Sequence, residues 1–578
     1  MSLIGFMNDK IFDNSNIAES YAGVTTPLTF SFVRYVYQEV YTYFCEMMGA
    51  DAKTIKNNRG MFEHMVEFVG CRIYYNLGNW YRMLSFFPGY KFSSRFMEKM
   101  MGVEEELSIE EVRAYSFWQK YLIYLPKTLW QILKISMSFL SLGLRIKRFN
   151  KYFDNIFFKI NSSDLKQMSP EELKNLYIKL DNLLISRWKV PIANDFAVMA
   201  SAGLADKLFQ KWLKSNDAYS YMRPRTNKPL VSLDPGNEVL QIVEEIKKDV
   251  AVSKLFIDDN KEEDLLNLLY SRYASHKVSQ RIDNYLKEYG CRMPSELKLE
   301  SETLTENPMS FIKLLRSIIR SNQISFRRVK KNELKHDGFR DLSIFKRLFL
   351  MWLLKWVGNS IQRREEARLR RALIFGFARK IFIAIGVKLK QDQLINNTRD
   401  IFFLTIEEVF ELVENNSKST INVLNLIEQR KKQHLIWENV ELPRRIETNK
   451  NLAEIENDFL AKYTGMRELS DRLTGRVASH PKDVSVFSGI ALTLINFDPA
   501  ADFKDKILVT RQTDPGWTMI FPLLKGLVVE RGGMLSHAAI VARELNIPCI
   551  VGVENATSLI QNGMNIKLDL QNGLVHTT

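Results

Sequence analysis

Four cysteines, Cys45, Cys71, Cys291 and Cys549, are scattered through 578 residues with no CxxC and no paired spacing. That scarcity argues against a disulfide framework or a zinc site, so no metal ligands are expected, and it fits a reducing cytoplasm. Long apolar runs are missing too. The most apolar stretches are "TLWQILKISMSFLSLGL" (128–144), "RLFLMWLLKWVG" (347–358) and "RALIFGFARKIFIAIGVKL" (371–389). Each is interrupted by Lys or Arg, or is shorter than the roughly 20 apolar residues a spanning helix needs. They read as buried or amphipathic helices. Their mixture of aromatic and basic residues leaves weak contact with a membrane surface open as the alternative. The opening "MSLIGFMNDKIFDNSN" has neither a basic n-region nor an apolar h-region, so no signal peptide is expected. No Walker A or other glycine-rich nucleotide loop occurs, and no recognised nucleic-acid motif, so nucleic acid is not an expected partner.

What is present is a large, ordinary globular composition, 46% hydrophobic and 26% charged, long enough for about two to four domains. The net charge is +14, and it is uneven. From Gly465 to the end Lys+Arg and Asp+Glu balance at 11 each, so the whole excess lies upstream. The excess points to an acidic substrate, a nucleotide-bearing partner or an anionic surface, against the plainer reading of a solvated basic face.

Texture divides the chain. Upstream of about 464 apolar residues recur at helical spacing, as in "PEELKNLYIKLDNLLISRW" and "NEVLQIVEEIKKDVAVSKLF". "SPEEL" (169–173) is a helix start, with Ser169 as N-cap, Pro170 in the first position and Glu172 closing a capping box. "EEVRAYSFWQKYLIY" (110–124) reads as a further helix. Residues 428–465 are dense in charge and read as one long exposed helix leading to a hinge. Downstream, short β-rich runs such as "KDKILVTRQTDP", "KGLVVERGG" and "NIPCIVGVENA" lie between Gly, Pro, Asp and Asn turns. The expected architecture is multidomain. A mainly α-helical substrate domain (1–427) and a helical hinge (428–467) precede a small α/β domain (468–578).

The chemistry concentrates in "ERGGMLSHAAIVAR" (530–543), where a β-rich run, a Gly532-Gly533 turn and a helix opening at Ser536-His537 follow one another. The first turn of a helix offers unpaired N–H groups and the positive end of its dipole, a setting for an anion. Glycine lets backbone approach an anion closely, and Ser536 can cap the helix. A neutral imidazole there can attack phosphorus and carry the phosphoryl group. Read alone, the turn fits a structural histidine better than a nucleophile.

The longer string "KGLVVERGGMLSHAAIVARELNIPCIVGVENAT" resembles the phosphohistidine, or swivelling, domain of phosphoenolpyruvate-utilising enzymes, and "LVTRQTDPGWTMIFPLLKG" upstream resembles the same domain. The resemblance implies that His537 accepts a phosphoryl group and delivers it at a second site. Arg531, Gly532, Gly533 and Ser536 then form the phosphate loop, with Thr513 and Asp514 in support. The family's Ser-Pro-Gly turn is replaced by "TGRVASHPKDVSVFSG" (474–489). Further upstream "NSNIAESYAGVTTPLTFSFVRYVYQEVY", "GCRIYYNLGNWYRM", "PIANDFAVMASAGL", "YGCRMPSELKLES", "RREEARLRRALIFGFARKIFIAIG" and "TRDIFFLTIEEV" are similar to the central domain of rifampicin-phosphotransferase-like and phosphoenolpyruvate-synthase-like proteins.

That family order puts the histidine domain last and an ATP-binding domain first. The chain begins where the helical domain begins, so the expectation is that a separate ATP-grasp-like subunit, binding ATP and Mg, charges His537 in trans. The acceptor is then a small molecule in the helical domain, and the product a phosphate ester or an activated intermediate for condensation or dehydration. A non-catalytic binding or regulatory protein that keeps only the fold is the alternative. In the helical region the candidates are Asn76, Arg82, Asp195, Arg292, Glu296, and Arg363 and Glu366 of the charged run 363–371. Arginine forks suit phosphate and carboxylate, and a carboxylate suits a general base, but interhelical ion pairs use the same residues. His276 and His336 read as surface residues.

Overall fold

The computed structural model describes residues 10–47, 49–86, 137, 141–215, 218–222, 233–258, 261–320, 337–415, 422–462, 473–481 and 485–577. The expected helix at 110–124, His336, the end of the hinge at 463–467 and all of 128–140 except Met137 lie outside them. The helical region and the C-terminal sheet domain are both present as read. The chain forms two compact units, each assembled from separate stretches: Met1–Gly203, Lys298–Glu300 and Ile374–Met466 in one, Leu204–Leu297, Ser301–Leu373 and Arg467–Thr578 in the other.

The first unit contains a four-stranded antiparallel sheet in the order β2-β3-β1-β4, with β1 Lys10–Asp13, β2 Val66–Val69, β3 Arg72–Asn76 and β4 Arg445–Thr448. Helix α1 (Pro27–Met47) belongs to the same unit. Ser169 caps the helix Pro170–Leu180 with the full reciprocal capping box. Glu300 binds the start of α1, accepting from the Thr26 and Thr29 hydroxyls at 2.9 and 2.5 Å. The single long helix expected over 428–465 is instead two helices, Val423–Asn439 and Leu452–Lys462, with β4 between them. The break is physical: Pro443 cannot continue a helix, and Ile446 is drawn into a core with Phe12, Tyr74, Trp437 and Ile455.

In the second unit the helices α2 (Asp234–Lys248), α3 (Lys277–Tyr289), α4 (Pro308–Arg320) and the first part of α5 (Ile344–Gln391) accompany a seven-stranded sheet. The sheet order is β11-β10-β6-β7-β8-β9-β5. Its strands are β5 Arg476–Ser479, β6 Val486–Thr493, β7 Ile507–Thr510, β8 Gly526–Val529, β9 Cys549–Val551, β10 Asn565–Asp569 and β11 Leu574–Thr577. β6 to β9 are parallel neighbours and the outer pairs are antiparallel. β7, β8 and β9 are buried at every residue, which is why "ILVT", "GLVV" and "CIV" read as continuous apolar runs without alternation. Helix α6 (His537–Glu544) crosses from β8 to β9, and Asn546 ends it in the left-handed conformation with φ 55°.

Helices and sheet meet through close backbone approaches. A Cβ on Gly516 would lie 2.1 Å from the Met293 carbonyl carbon, and one on Gly236 2.9 Å from the Thr518 carbonyl oxygen. Ser317 Oγ donates to the Ala501 carbonyl at 2.8 Å. Gly516→Ala therefore forces backbone apart and should cost about 1–3 kcal/mol, seen as a lower thermal midpoint. Gly533→Ala, where an added Cβ meets nothing within 4 Å, should leave the midpoint unchanged.

Candidate functional site

The site lies at the carboxyl ends of two adjacent parallel strands, the position where open α/β sheets present their ligand-binding loops. β7 runs out into Gln512–Met519 and β8 into Glu530–His537. Ser536 is the N-cap of α6, in extended conformation, and accepts from the Ala539 N–H at 3.3 Å. Gly532 has φ 126°, a conformation that an L side chain rarely adopts. Arg543, in the last turn of α6, reaches back to donate to the Met534 and Ala478 carbonyls, fixing the loop from behind. Arg364 of α5 donates to the Leu535 carbonyl at 3.2 Å and holds it from the front.

His537 is 2% exposed. Its Nδ1 lies 3.2 Å from Glu365 Oε2 and its Nε2 lies 2.8 Å from Thr518 Oγ1. Burial would raise the Glu365 carboxyl, but Arg368, the hydrogen bond with His537 and Arg364 outweigh it and hold the group well below the usual carboxylate range. Burial pushes the imidazole below its ordinary value, against the pull of Glu365, so the ring is neutral. An ionised carboxylate only accepts, which puts the single ring proton on Nδ1 and the lone pair on Nε2. Thr518 Oγ1 lies 2.7 Å from the Pro515 carbonyl as well, so its one proton serves Nε2 or that carbonyl. Phe521 stacks beside the imidazole with ring centroids 6.4 Å apart.

Guanidinium groups gather around this pair. Arg368 lies 3.4 Å from Glu365, and the fully buried Arg292 lies 3.4 Å from Glu296. Arg292, Arg368 and Arg371 all act on Glu296, and Arg368 and Arg292 act on His537. Arg292 Nε, Arg368 Nη1 and Arg371 Nε are buried without a hydrogen-bond partner. Buried donors left unpaired are costly, and three in one place fit a phosphate or carboxylate ligand. Among the described residues no group of three or more His, Cys, Asp or Glu side chains gathers as a metal site.

Of the residues chosen from sequence, His537, Ser536, Gly532, Gly533, Arg531, Thr513, Asp514, Arg292, Glu296, Arg363 and Glu366 all lie in this unit. Thr513 is buried, with its hydroxyl unpartnered. Asp514 accepts from the Ser295 N–H at 2.5 Å and from the Gly516 N–H at 2.9 Å, tying the strand-end loop to the Met293–Ser295 turn. In the charged run the contact falls to Glu365, while Glu366 accepts from Gln362 at 3.5 Å on its own helix and Arg363 is half-buried. Asn76, Arg82 and Asp195 belong to the other unit, where Asn76 caps the helix Leu77–Leu84 and accepts from Asn79 N–H at 3.2 Å. His276 also has a local duty, capping α3 and bonding Asp249 at 3.2 Å.

Thr518 is not among the residues chosen from sequence, and Glu365 and Arg368 enter there only as members of the charged run 363–371, whose basic residues are expected to line the docking place of the histidine loop. Helix geometry carries a signal for the last two: at 100° per residue Glu365 and Arg368 share a face, and Arg363, Glu366 and Arg370 point away from it. Nothing local marks Thr518.

The comparisons with known proteins cover Thr518, His537, Arg292, Glu296 and Glu365. Residues 503–573 match the PEP-utilising enzyme mobile domain, and residues 192–365 match the rifampicin phosphotransferase fourth domain. The chain therefore carries both domains and is a distant homologue of rifampicin phosphotransferases and phosphoenolpyruvate synthases. It is 26% identical over 401 residues to a rifampicin phosphotransferase of Bacillus cereus, a match covering 66% of this chain and 44% of that protein. It is 24% identical over 424 residues to the prodigiosin synthesizing transferase PigC of Serratia marcescens, covering 71% and 46%. A probable phosphoenolpyruvate synthase of Staphylothermus marinus is 37% identical over 129 residues, 22% of this chain and 14% of its own. The chain spans less than half the length of these relatives.

Burial raises the Asp514 carboxyl to about 7, with the Glu296 charge adding to it against the Ser295 and Gly516 N–H groups. A folded-state value above the unfolded one means stability present below about pH 4 and lost as pH rises through about 7. The thermal midpoint should fall between about pH 4 and 7, and Asp514→Asn should flatten that fall. A midpoint that falls equally in both proteins would show that Asp514 is ionised throughout. For the imidazole, nitrogen NMR at neutral pH should show a protonated Nδ1 and a bare Nε2.

Proposed function

We propose that this chain is a phosphotransferase component in which His537 carries a phosphoryl group. The observation that carries the reading is the buried Glu365–His537–Thr518 array, which leaves the Nε2 lone pair as the nucleophile. In the charging step Nε2 forms a bond to phosphorus and the bond from phosphorus to the donor's leaving oxygen breaks. The positive charge this places on the ring is met by Glu365 through Nδ1–H. In delivery an acceptor oxygen attacks phosphorus, the P–Nε2 bond breaks, and its electron pair returns to the ring. Arg292, Arg368 and Arg371 supply donors to the phosphoryl oxygens as charge develops there. Thr518 turns its proton to the Pro515 carbonyl or a phosphoryl oxygen when Nε2 is occupied.

The acceptor is a small molecule bound by the helical part of the protein, and the product is a phosphate ester or an activated intermediate. In support, residues 192–365 match a domain of an enzyme named for phosphorylating rifampicin, and a second relative is named as a synthesizing transferase. The donor is ATP, bound with Mg by an ATP-grasp-like subunit that charges His537 in trans. Nε2 displaces AMP from the β-phosphorus, and water then cleaves the remaining phosphoanhydride, releasing inorganic phosphate and leaving one phosphoryl group on Nε2.

Incubation with labelled ATP and an ATP-binding protein encoded beside this one should yield an acid-labile, base-stable phosphoprotein. His537→Ala should abolish the label, and label that survives it would end the proposal. Glu365→Gln should slow labelling on the order of 100-fold or more, because the amide no longer fixes the tautomer. A Glu365→Gln protein that labels at the normal rate would remove Glu365 from the mechanism.

A further inference from the structure

One surface of the second unit takes no part in the chemistry above. Along the first turns of α5, Ile344, Phe345, Leu348, Phe349 and Trp352 are 74%, 87%, 61%, 43% and 51% exposed. Their spacing, i, i+1, i+4, i+5 and i+8, places all five on one stripe of the helix. Such a run of large apolar side chains in water is a binding surface or a liability. Lys346 and Arg347 flank the stripe on opposite sides, and Lys355 closes it at its far end, all three exposed. Lys346 lies over the Trp212 ring at 5.7 Å, and Trp212 meets Phe349 edge-on at 6.4 Å, extending the aromatic surface onto a neighbouring helix. From Ile344 to Arg364 the helix has five basic residues and no acidic one, within a chain of net charge +14.

We propose that this aromatic-basic face of α5 docks the protein on an anionic lipid surface. Apolar side chains flanked by cations are the pattern that seats a helix at the headgroup–acyl boundary, where burial and attraction to anionic lipid add. The attachment is peripheral, because among the described residues no helix is long and apolar enough to cross a membrane. Trp352 lies 13 residues before Glu365 on the same helix, so the docking face sits about 20 Å from the histidine site. The proposal does not depend on the phosphoryl chemistry.

The full chain should co-sediment at low salt with phosphatidylcholine vesicles containing phosphatidylglycerol, and much less with phosphatidylcholine alone. Raising the salt should release it. Phe345→Glu combined with Leu348→Glu should cut the bound fraction about 10-fold, with an unchanged thermal midpoint because both side chains are exposed. Lys346→Glu with Arg347→Glu should erase the preference for anionic vesicles. Failure of the wild-type chain to bind anionic vesicles at low salt overturns the proposal. So does binding that both double variants retain. A concentration-dependent dimer abolished by the Phe345–Leu348 variant, without vesicle binding, would assign the face to a second copy of the chain instead.

Discussion

The contact between Glu365 and His537 organises the second unit. A carboxylate 1% exposed is unfavourable unless its charge is answered, and Arg368, Arg364 and the imidazole proton answer it. Once Glu365 is ionised the rest follows without further choice. The ring proton is on Nδ1, the lone pair is on Nε2, and the only hydroxyl within bonding distance of Nε2 among the described contacts is Thr518. A protonated Glu365 would reverse the tautomer and remove the nucleophile. The same contact joins two stretches 172 residues apart, so the hydrogen bond that sets the chemistry of the histidine also helps to seat its loop on α5, together with the Arg364–Leu535 bond.

What the sequence discloses here is what is local. The capping box at Ser169, the N-cap at Ser536, the glycine before it and the left-handed Asn546 are each set by a few neighbouring residues, and each is found where those residues place it. The continuous apolar strands of the parallel sheet are legible for the same reason. Partners chosen across long separations are not. Thr518 is one threonine among many until the fold brings it against Nε2. The run 363–371 shows seven charges whose members differ only in the face of α5 they occupy, so Glu366 and Arg363 look as plausible as Glu365 and Arg368. The long helix expected at 428–465 fails at Pro443, where the backbone preference and the demand of the Phe12–Tyr74 core agree on a strand.

The seating of the sheet domain includes several backbone constraints. Gly516 lies against Met293–Pro294, Gly236 against Thr518, and Asp514 ties Ser295 by a charge-capable bond.

The charge balance of the cluster completes the argument. Arg292, Arg368 and Arg371 face Glu365, Glu296 and Asp514 in a largely dry interior. Three cations and three anions would leave nothing for a ligand. The acids are not equivalent, however. Glu365 is driven toward its charged form, whereas burial drives Glu296 and Asp514 toward their neutral forms, Asp514 to about 7. Each of these two carboxyls that is protonated leaves an arginine unanswered, with guanidinium N–H groups unpaired, beside a neutral imidazole. A phosphoryl group on Nε2 brings the negative charge and the acceptor oxygens that this arrangement lacks. The raised carboxyls are thus part of the anion site, since ionising them would compete with the phosphoryl group for the same arginines.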